Sequence, residues 1–285
     1  MIAVTGGTGQ LGQRVIDALL KKMAAADIVA LVRNPSKAAG LKAQGVTVRQ
    51  GDYNDPVSLQ LAFAGAQKLL LISAGEPAER VRQHENAVRA AKAAGVQLIA
   101  YTSILHADTS PVSLAEDHRA TEALLKASGA PYVLLRNGWY TENYLEALPI
   151  ALQHGAFLGC VGDGRLTTAT RTDYAEAAAA VMVSDEDQSG ITYELAGDQS
   201  YTLSDLAAEV ARQSGKVVTY RNLSEESYLQ ALVESRLPVE VAQMLVGFDV
   251  AAKQGALFDD SQTLSRLIRR ATTSLERAVA DALGG

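Results

Sequence analysis

The first half of the chain alternates short, continuous apolar runs with amphipathic stretches. Uninterrupted apolar runs are typical of strands that are covered on both faces of a sheet. After the first run, Leu11, Val15 and Leu19 recur at the spacing of one helix face. The pattern predicts six strands, at residues 2–4, 28–32, 46–48, 68–73, 98–103 and 132–135.

The order of these elements indicates the fold class. Strands that alternate with helices form βαβ units, which build a parallel sheet through right-handed crossovers. We therefore expect an α/β protein with a Rossmann-like, doubly wound parallel sheet. Helical patterns dominate after Asn137, so we predict two domains, at residues 1–136 and 137–285. The second is expected to be smaller and mostly helical, with segments that return to the sheet.

Local signals mark several helix and strand boundaries. A serine or threonine with an acidic residue three positions later is typical of the start of a helix. Gly95 is expected to end a helix, and residues 191–195 and 217–220 are further strand candidates. Capping boxes are predicted at Ser113 with Glu116, at Thr202 with Asp205 and at Thr273 with Glu276.

Composition narrows the class of protein. Of the 285 residues, 48% are hydrophobic and 20% are charged, which argues against intrinsic disorder. The net charge of −6 argues against nucleic acid or an anionic membrane as a partner, since both attract a basic surface. One cysteine, Cys160, excludes a disulfide framework. The chain shows no basic and apolar leader and no membrane-spanning run, so we expect a cytoplasmic protein.

A glycine-rich segment follows the first predicted strand and opens the first predicted helix. Gly7, Gly9 and Gly12 fit one phosphate-binding spacing, and Gly6, Gly9 and Gly12 fit another equally well. Either spacing lets the backbone approach a diphosphate, which then meets the free N–H groups at the start of the helix. A strand–loop–helix context favours dinucleotide binding over a turn without a ligand.

The end of the second strand indicates which dinucleotide is bound. NAD enzymes usually carry an acidic residue here, but Asp27 lies at the other end of the strand. Arg33 takes the position and Lys37 follows one turn later, a pair suited to a 2′-phosphate. We therefore predict NADPH rather than NADH, the alternative being an ordinary exposed arginine. Residues 51–53 are expected to face the adenine, or to form an ordinary turn.

The usual proton donor of short-chain reductases is missing. No tyrosine has a lysine four positions later, and Leu114 and His118 hold that spacing in the relevant region. Neither a nucleophilic-serine elbow nor a zinc-protease motif occurs, and the four histidines are scattered, which argues against a metal site. We name no catalytic acid, so the catalytic residues are left open.

Several longer stretches resemble a known family. The stretches at 4–12, 28–37, 98–110, 134–144 and 168–177 look like the NmrA-like, atypical short-chain dehydrogenase/reductase family. The run at 136–144 and the segment at 257–260 are similar to its quinone-reducing members, which also lack the tyrosine–lysine pair. The resemblance implies an NADP-binding domain at residues 1–136 and NADPH contacts from Gly6, Gly7, Thr8, Gly9, Gln10, Leu11, Arg33, Ser73, Ala74, Gly75, Asn137, Gly138, Trp139, Tyr140, Thr141, Glu142 and Arg171.

The resemblance further implies hydride transfer from NADPH to a small-molecule quinone. Such a reaction needs ring-against-ring positioning in an apolar pocket more than it needs a strong acid. Tyr101, Tyr140, Asn143 and Tyr144 are predicted to border this pocket, with packing as the alternative. Two other functions stay open: an NADP(H)-sensing regulator without catalysis, and an NADP-dependent epimerase, which the missing donor pair disfavours. An oligomer is possible, but nothing in the sequence indicates one.

Overall fold

The structure is a computed structural model, and it describes residues 1–73 and 79–284. Within these residues the strands form a seven-stranded sheet and a separate two-stranded sheet. The strands are Ile2–Val4 (β1), Ile28–Val32 (β2), Thr47–Gln50 (β3), Lys68–Leu71 (β4), Leu98–Ile104 (β5), Tyr132–Asn137 (β6), Ala156–Gly159 (β7), Thr192–Leu195 (β8) and Thr219–Asn222 (β9).

The large sheet has the strand order β3-β2-β1-β4-β5-β6-β8. Its first six strands pair in parallel, each with its neighbours in that order. The chain therefore winds outward on one side of β1 and then on the other, which confirms the predicted Rossmann-like, doubly wound α/β fold. All six predicted strands are present, although β4 ends at Leu71 and not at Ser73. The predicted strand at 191–195 corresponds to β8, and the one at 217–220 overlaps β9.

Helices connect the strands. The described helices are Gln10–Leu20 (α1), Ala39–Ala43 (α2), Pro56–Phe63 (α3), Arg80–Ala93 (α4), Leu114–Ser128 (α5), Thr141–Leu145 (α6), Leu148–His154 (α7), Arg171–Val183 (α8), Leu203–Ser214 (α9), Glu225–Glu234 (α10), Val239–Lys253 (α11), Thr263–Ile268 (α12) and Leu275–Leu283 (α13). No helix in the described ranges combines the length and apolar character needed to cross a membrane.

Two of the three predicted capping boxes can be compared with the structure, while the one at Ser113 with Glu116 stays a prediction. At Thr202 the capping box is confirmed, because its side chain accepts from the backbone N–H of Asp205 while the Asp205 carboxylate accepts from that of Thr202. At Thr273 the prediction is wrong by one position: Ser274 caps α13 by accepting from the N–H of Arg277. Both residues can cap a helix, and packing selects between such neighbours.

Backbone contacts group the chain into two compact units. The first comprises residues 1–107, 116–137 and 171–194, and the second comprises residues 108–115, 138–170 and 195 onward. These units describe compactness and not what each part binds, so the functional division at 136/137 stays a prediction.

The first unit buries the sheet between its helices. Helix α8 packs against α1, and four of its five alanines, Ala175, Ala177, Ala178 and Ala179, are fully or almost fully buried. Small side chains let two helix axes approach closely. Lys68 at the start of β4 donates its ammonium to the carbonyls of Met182 and Ser184, at 3.0 and 2.8 Å. A cation at these last carbonyls satisfies the end of α8.

A buried ion network ties the edge of the sheet to α5. Arg136 on β6 makes a bidentate pair with Glu122, at 2.9 and 2.7 Å, and a further pair with Glu194 on β8 at 2.9 Å. Ser103 on β5 donates to the same Glu122 carboxylate at 2.6 Å. The shared carboxylate holds β5, β6 and α5 in register, since each group is buried and needs its partner.

The second unit has its own apolar core around α9, with residues from α6, α7, β7 and α13. Trp139 packs edge-on against Phe248, with ring centroids 4.7 Å apart. The carboxylate of Asp249 on α11 accepts from the backbone N–H of Cys160 at 2.8 Å. Burial raises the pKa of Asp249 to about 6. The unit therefore holds a buried acid among aromatic side chains.

Candidate functional site

The glycine-rich segment forms a tight turn between β1 and α1. Gly6 has a positive φ of 61°, a conformation that glycine adopts without strain. The backbone N–H of Gly9 donates to the carbonyl of Gly6 at 2.8 Å, and that of Gly7 donates to Leu31 on β2 at 3.0 Å. Hydrogen bonds therefore stabilise the turn both within itself and to the neighbouring strand β2.

The two glycine spacings share Gly9 and Gly12 and differ only in their first residue, where the backbone conformation favours Gly6 over Gly7. A Cβ at Gly12 would lie 2.2 Å from the carbonyl oxygen of Gly6, far inside contact distance. Positive φ is found at Gly6 and not at Gly7. The spacing that begins at Gly6 and ends at Gly12 is thus the one that the backbone requires. Gly7 packs against Ala30, where a Cβ would meet the alanine side chain at 3.0 Å.

The start of α1 presents unused backbone donors. The helix begins at Gln10, and its N-cap, Gly9, provides no side-chain cap. Both residues are exposed. The first N–H groups of a helix have no partner within the helix and lie at its positive end. An anion placed there can accept hydrogen bonds from them.

A cavity of about 1150 Å³ opens beside this turn. It lies at the carboxyl ends of β1, β2 and β3, where ligands of open α/β sheets bind. The lining is Gly6, Thr8, Gly9, Gln13, Leu31, Val32, Arg33, Asn34, Lys37, Gly51, Asp52, Tyr53, Asn54, Glu79, Arg82 and Gln83.

The two cations predicted at the end of β2 both line this cavity. Arg33 and Lys37 are exposed, and among the described residues no side-chain hydrogen bond or ion pair engages either of them. Asp27 lies at the amino end of β2, as expected, and is exposed. The cavity therefore offers two positive side chains at the strand end, and no acid sits at the position after β2.

The segment after β3 forms another wall. The Tyr53 hydroxyl donates to the carbonyl of Ile72 at 3.0 Å, and burial raises the pKa of Tyr53 above its usual range. Asp52 accepts from the N–H of Asn54 at 2.8 Å. Both residues line the cavity. This segment, which was predicted to face adenine, is therefore held in one shape by its own hydrogen bonds.

Other predicted cofactor residues of the first unit lie outside the cavity lining. Leu11 is buried on the inner face of α1, while Gln10 is exposed at its start. Ser73 donates its backbone N–H to Thr102 at 2.8 Å, and Arg171 is the buried first residue of α8. Ala74 and Gly75 fall outside the described residues.

Asn137, at the carboxyl end of β6, differs from these residues. Its side chain is buried, and its amide oxygen Oδ1 has no hydrogen-bond partner among the described residues. A buried amide oxygen without a donor is unfavourable unless a ligand supplies one. This unpartnered acceptor lies at the carboxyl end of β6, and it belongs to the first residue of the predicted cofactor segment at 137–142.

The predicted residues from 138 to 142 belong to the second unit. Gly138 donates its N–H to Leu195 at 2.7 Å, and Trp139 packs on Phe248. Thr141 shares a hydrogen bond of 2.7 Å with Thr168, which in turn contacts the Tyr201 hydroxyl at 2.6 Å. Glu142 lies in the first turn of α6. Their contacts with a cofactor stay a prediction.

Of the four predicted substrate residues, one is buried in the large sheet and three lie on α6 or its N-cap. Tyr101 on β5 is fully buried, with its hydroxyl 2.8 Å from Nδ1 of His118. Burial lowers the pKa of His118 to about 3, so its ring is neutral. For Tyr101 this placement favours the packing alternative. Tyr140 is the N-cap of α6, and Asn143 and Tyr144 lie on that helix, all half-buried.

Five cavity residues lie outside every segment that the sequence analysis singled out. They occur in no motif, because their side chains reach the cavity only through the way α1, α4 and the 52–54 segment pack. The five are Gln13, Asn54, Glu79, Arg82 and Gln83.

Comparison with known proteins decides the family. The sequence pattern of the NmrA-like family matches residues 1–279. The chain belongs to the NmrA-like family. The resemblance stated from the sequence is thereby confirmed.

Individual known proteins match over nearly the whole chain. Quinone oxidoreductase 2 of Escherichia coli is 57% identical over 279 residues, which are 98% of this chain and 97% of that protein. The crystal structure of the E. coli enzyme complexed with NADPH has a TM-score of 0.96 and covers 99% of this chain and 100% of its own.

Triphenylmethane reductase of Citrobacter sp., in a structure complexed with NADP(H), is 40% identical with a TM-score of 0.95. That match covers 99% of this chain and 100% of the reductase.

Proposed function

We propose that this chain is an NADPH-dependent quinone oxidoreductase. The observation that carries the proposal is a single cavity lined by both the glycine turn and Arg33. A relative named for quinone reduction, with a structure solved in complex with NADPH, matches nearly the whole chain.

The residues of the cavity fit this dinucleotide. A Cβ at Gly12 would clash with the Gly6 carbonyl, and the N-cap Gly9 carries no side chain, so a diphosphate can approach the backbone N–H groups at the start of α1 directly. Arg33 and Lys37 present a guanidinium and an ammonium suited to a 2′-phosphate dianion. No carboxylate follows β2 to accept from a free 2′-hydroxyl. We therefore assign the preference to NADPH over NADH.

The proposed reaction depends mainly on how the protein positions the nicotinamide and the quinone. When bound, NADPH supplies the hydride, and a proton from water or a nearby hydroxyl completes reduction of the quinone to a hydroquinone. The quinol anion is a modest base, so the protein can work without a strong acid. The side chains of this chain hold the reactants close together and keep water out, which are the terms that accelerate such a reaction.

We assign the quinone contacts to Tyr140, Asn143 and Tyr144. The three lie on α6 and its N-cap, and they offer two aromatic faces and one amide. Burial raises the pKa of Tyr144 well above its usual value, so its hydroxyl stays protonated and able to donate. Asn137, with its orphaned Oδ1, is assigned to the cofactor, as are Gly6, Thr8 and Gly9.

The experiment follows NADPH absorbance after addition of a small quinone to the purified protein. Oxidation of NADPH that depends on both quinone and enzyme is expected. A second trace with NADH in place of NADPH tests the cofactor preference. Tight NADPH binding without oxidation would overturn the enzyme assignment and favour the sensing alternative.

A further inference from the structure

Gln83 on α4 lines the cavity, but the cofactor residues predicted above do not include it. Only 7% of the surface of Gln83 is exposed. Its amide oxygen Oε1 is buried and has no hydrogen-bond partner among the described residues. Native structures rarely leave such an acceptor unpaired, because the lost hydrogen bond is unfavourable. No donor among the described residues meets this acceptor, so a ligand that supplies one is favoured.

The orientation of the Gln83 amide follows from its neighbour. Its Nε2 group donates to Oδ1 of Asn54 at 3.4 Å, a long hydrogen bond. The same Asn54 oxygen accepts from Arg82 at 2.8 Å, and Arg82 pairs with Glu79. If the Gln83 amide were flipped, its Oε1 would face Oδ1 of Asn54, and two acceptors would meet. The acceptor end of Gln83 is therefore the end that is left without a partner.

Gln83 also belongs to a particular wall of the cavity. Asn54, to which it is bonded, directly follows Asp52 and Tyr53. Asn86, one turn further along α4, donates to the carbonyl of Tyr53 at 2.8 Å. The first turns of α4 are thus attached to the segment at 51–53, for which the sequence left adenine contact and an ordinary turn open. A ligand group that meets this wall meets Gln83 as well.

We infer that the orphaned amide oxygen of Gln83 accepts a hydrogen bond from the 6-amino group of the adenine base. This inference rests on the proposed function and adds a determinant of base identity to it. With the phosphates assigned to the glycine turn and to Arg33, we place the adenine base against this wall, where its 6-amino group is the donor that meets Gln83. A purine with a 6-oxo group would place an acceptor against an acceptor, so such a base is discriminated against.

The test compares two ligands and two variants in binding titrations. The ligands are NADPH and its 6-oxo analogue, nicotinamide hypoxanthine dinucleotide phosphate. The variants are Gln83→Met, which keeps the size of the side chain and removes its polar groups, and Gln13→Met, which makes the same change elsewhere on the cavity wall. The readout is the ratio of the two dissociation constants within each protein, so a loss of folded protein does not mimic the effect.

The wild-type protein is expected to bind the 6-oxo analogue at least about tenfold more weakly than NADPH. Gln83→Met should bring the ratio close to one by weakening NADPH binding, while Gln13→Met should leave the ratio as in the wild type. A wild-type ratio near one would overturn the inference and leave the proposed function standing. If Gln83→Met still binds the 6-oxo analogue more weakly than NADPH by the wild-type ratio, the inference is also overturned. Asp52 would then be indicated as the acceptor of the 6-amino hydrogen bond. Failure to bind NADPH would overturn both proposals.

Discussion

The carbonyl oxygen of Gly6 occupies the space that a side chain at Gly12 would need, with 2.2 Å between that oxygen and a Cβ at residue 12. The carbonyl of Gly6 thus excludes a side chain at residue 12, in the first turn of α1. This close approach allows the helix to begin directly beside the strand, with its free N–H groups over the cavity.

Gly12→Ala is expected to force the turn apart. A Cβ that meets backbone at 2.2 Å cannot be relieved by rotating a side chain, so we expect a loss of about 1–3 kcal/mol in the free energy of unfolding. NADPH binding should weaken as well, because the N–H groups move. Chemical denaturation and a binding titration would measure the two effects.

Gly40→Ala is the matched control for this change. Gly40 lies within α2, and a Cβ there would meet nothing within 4 Å. Alanine in an open helix position is expected to stabilise by about 0.5–1 kcal/mol. Equal effects of the two substitutions would contradict the steric explanation.

Arg33→Ala is expected to weaken the binding of NADPH much more than that of NADH. Removing a guanidinium that binds a 2′-phosphate should raise the dissociation constant of NADPH by about ten- to a hundredfold, with little change for NADH. The two constants would be measured by titration at fixed salt. Arg89→Ala provides the control, since Arg89 is an exposed arginine on α4 outside the cavity lining. Equal changes for both cofactors would remove the argument for a phosphate contact.

Tyr140→Phe and Tyr144→Phe, assayed separately, test the quinone contacts. Loss of one hydroxyl that bonds the substrate should lower kcat/KM for the quinone by about two- to tenfold. Tyr193→Phe is a suitable comparison, because the Tyr193 hydroxyl bonds Gln188 at the edge of the large sheet. Steady-state constants that match the wild type in both variants would retire the tyrosine assignment.

Asp249 should make stability depend on pH. Burial is the largest cause of the rise in its pKa from 3.8 to about 6. Because the folded-state pKa lies above that of the unfolded chain, the protonated carboxyl contributes its full stability below about pH 4. That contribution is lost as the pH rises through about 6. Tyr220, with a pKa of about 12, does not titrate in this window.

Asp249→Asn should abolish this dependence. A neutral amide can still accept from Cys160, and it carries no charge to bury. The variant is expected to gain up to roughly 3 kcal/mol over the wild type between pH 4 and pH 7. Denaturation curves of both proteins across that range would give the difference, and a difference that does not change with pH would be inconsistent with a raised pKa.

Much of the fold could be predicted because its strands are covered on both faces. A strand such as Leu98–Ile104 must be apolar throughout, and that produces an unmistakable run in the sequence. The glycine turn was predictable for a similar reason, since backbone geometry at Gly6 and Gly12 admits almost no other residue. Thr273 shows the limit: two adjacent residues can both cap, the sequence does not distinguish them, and the structure places the cap at Ser274.

From its residues alone, the chain determined the doubly wound sheet, the tight glycine turn proposed to accept a diphosphate and the cation at position 33, because each depends on local rules of burial, backbone freedom and charge. Tertiary structure decided that Tyr101 is enclosed beside His118, that Asp249 is buried among tyrosines, and that Gln83 reaches the cavity with its oxygen unpaired. These outcomes depend on which distant segments meet, and no periodicity or short motif encodes a contact between α4 and the end of β3.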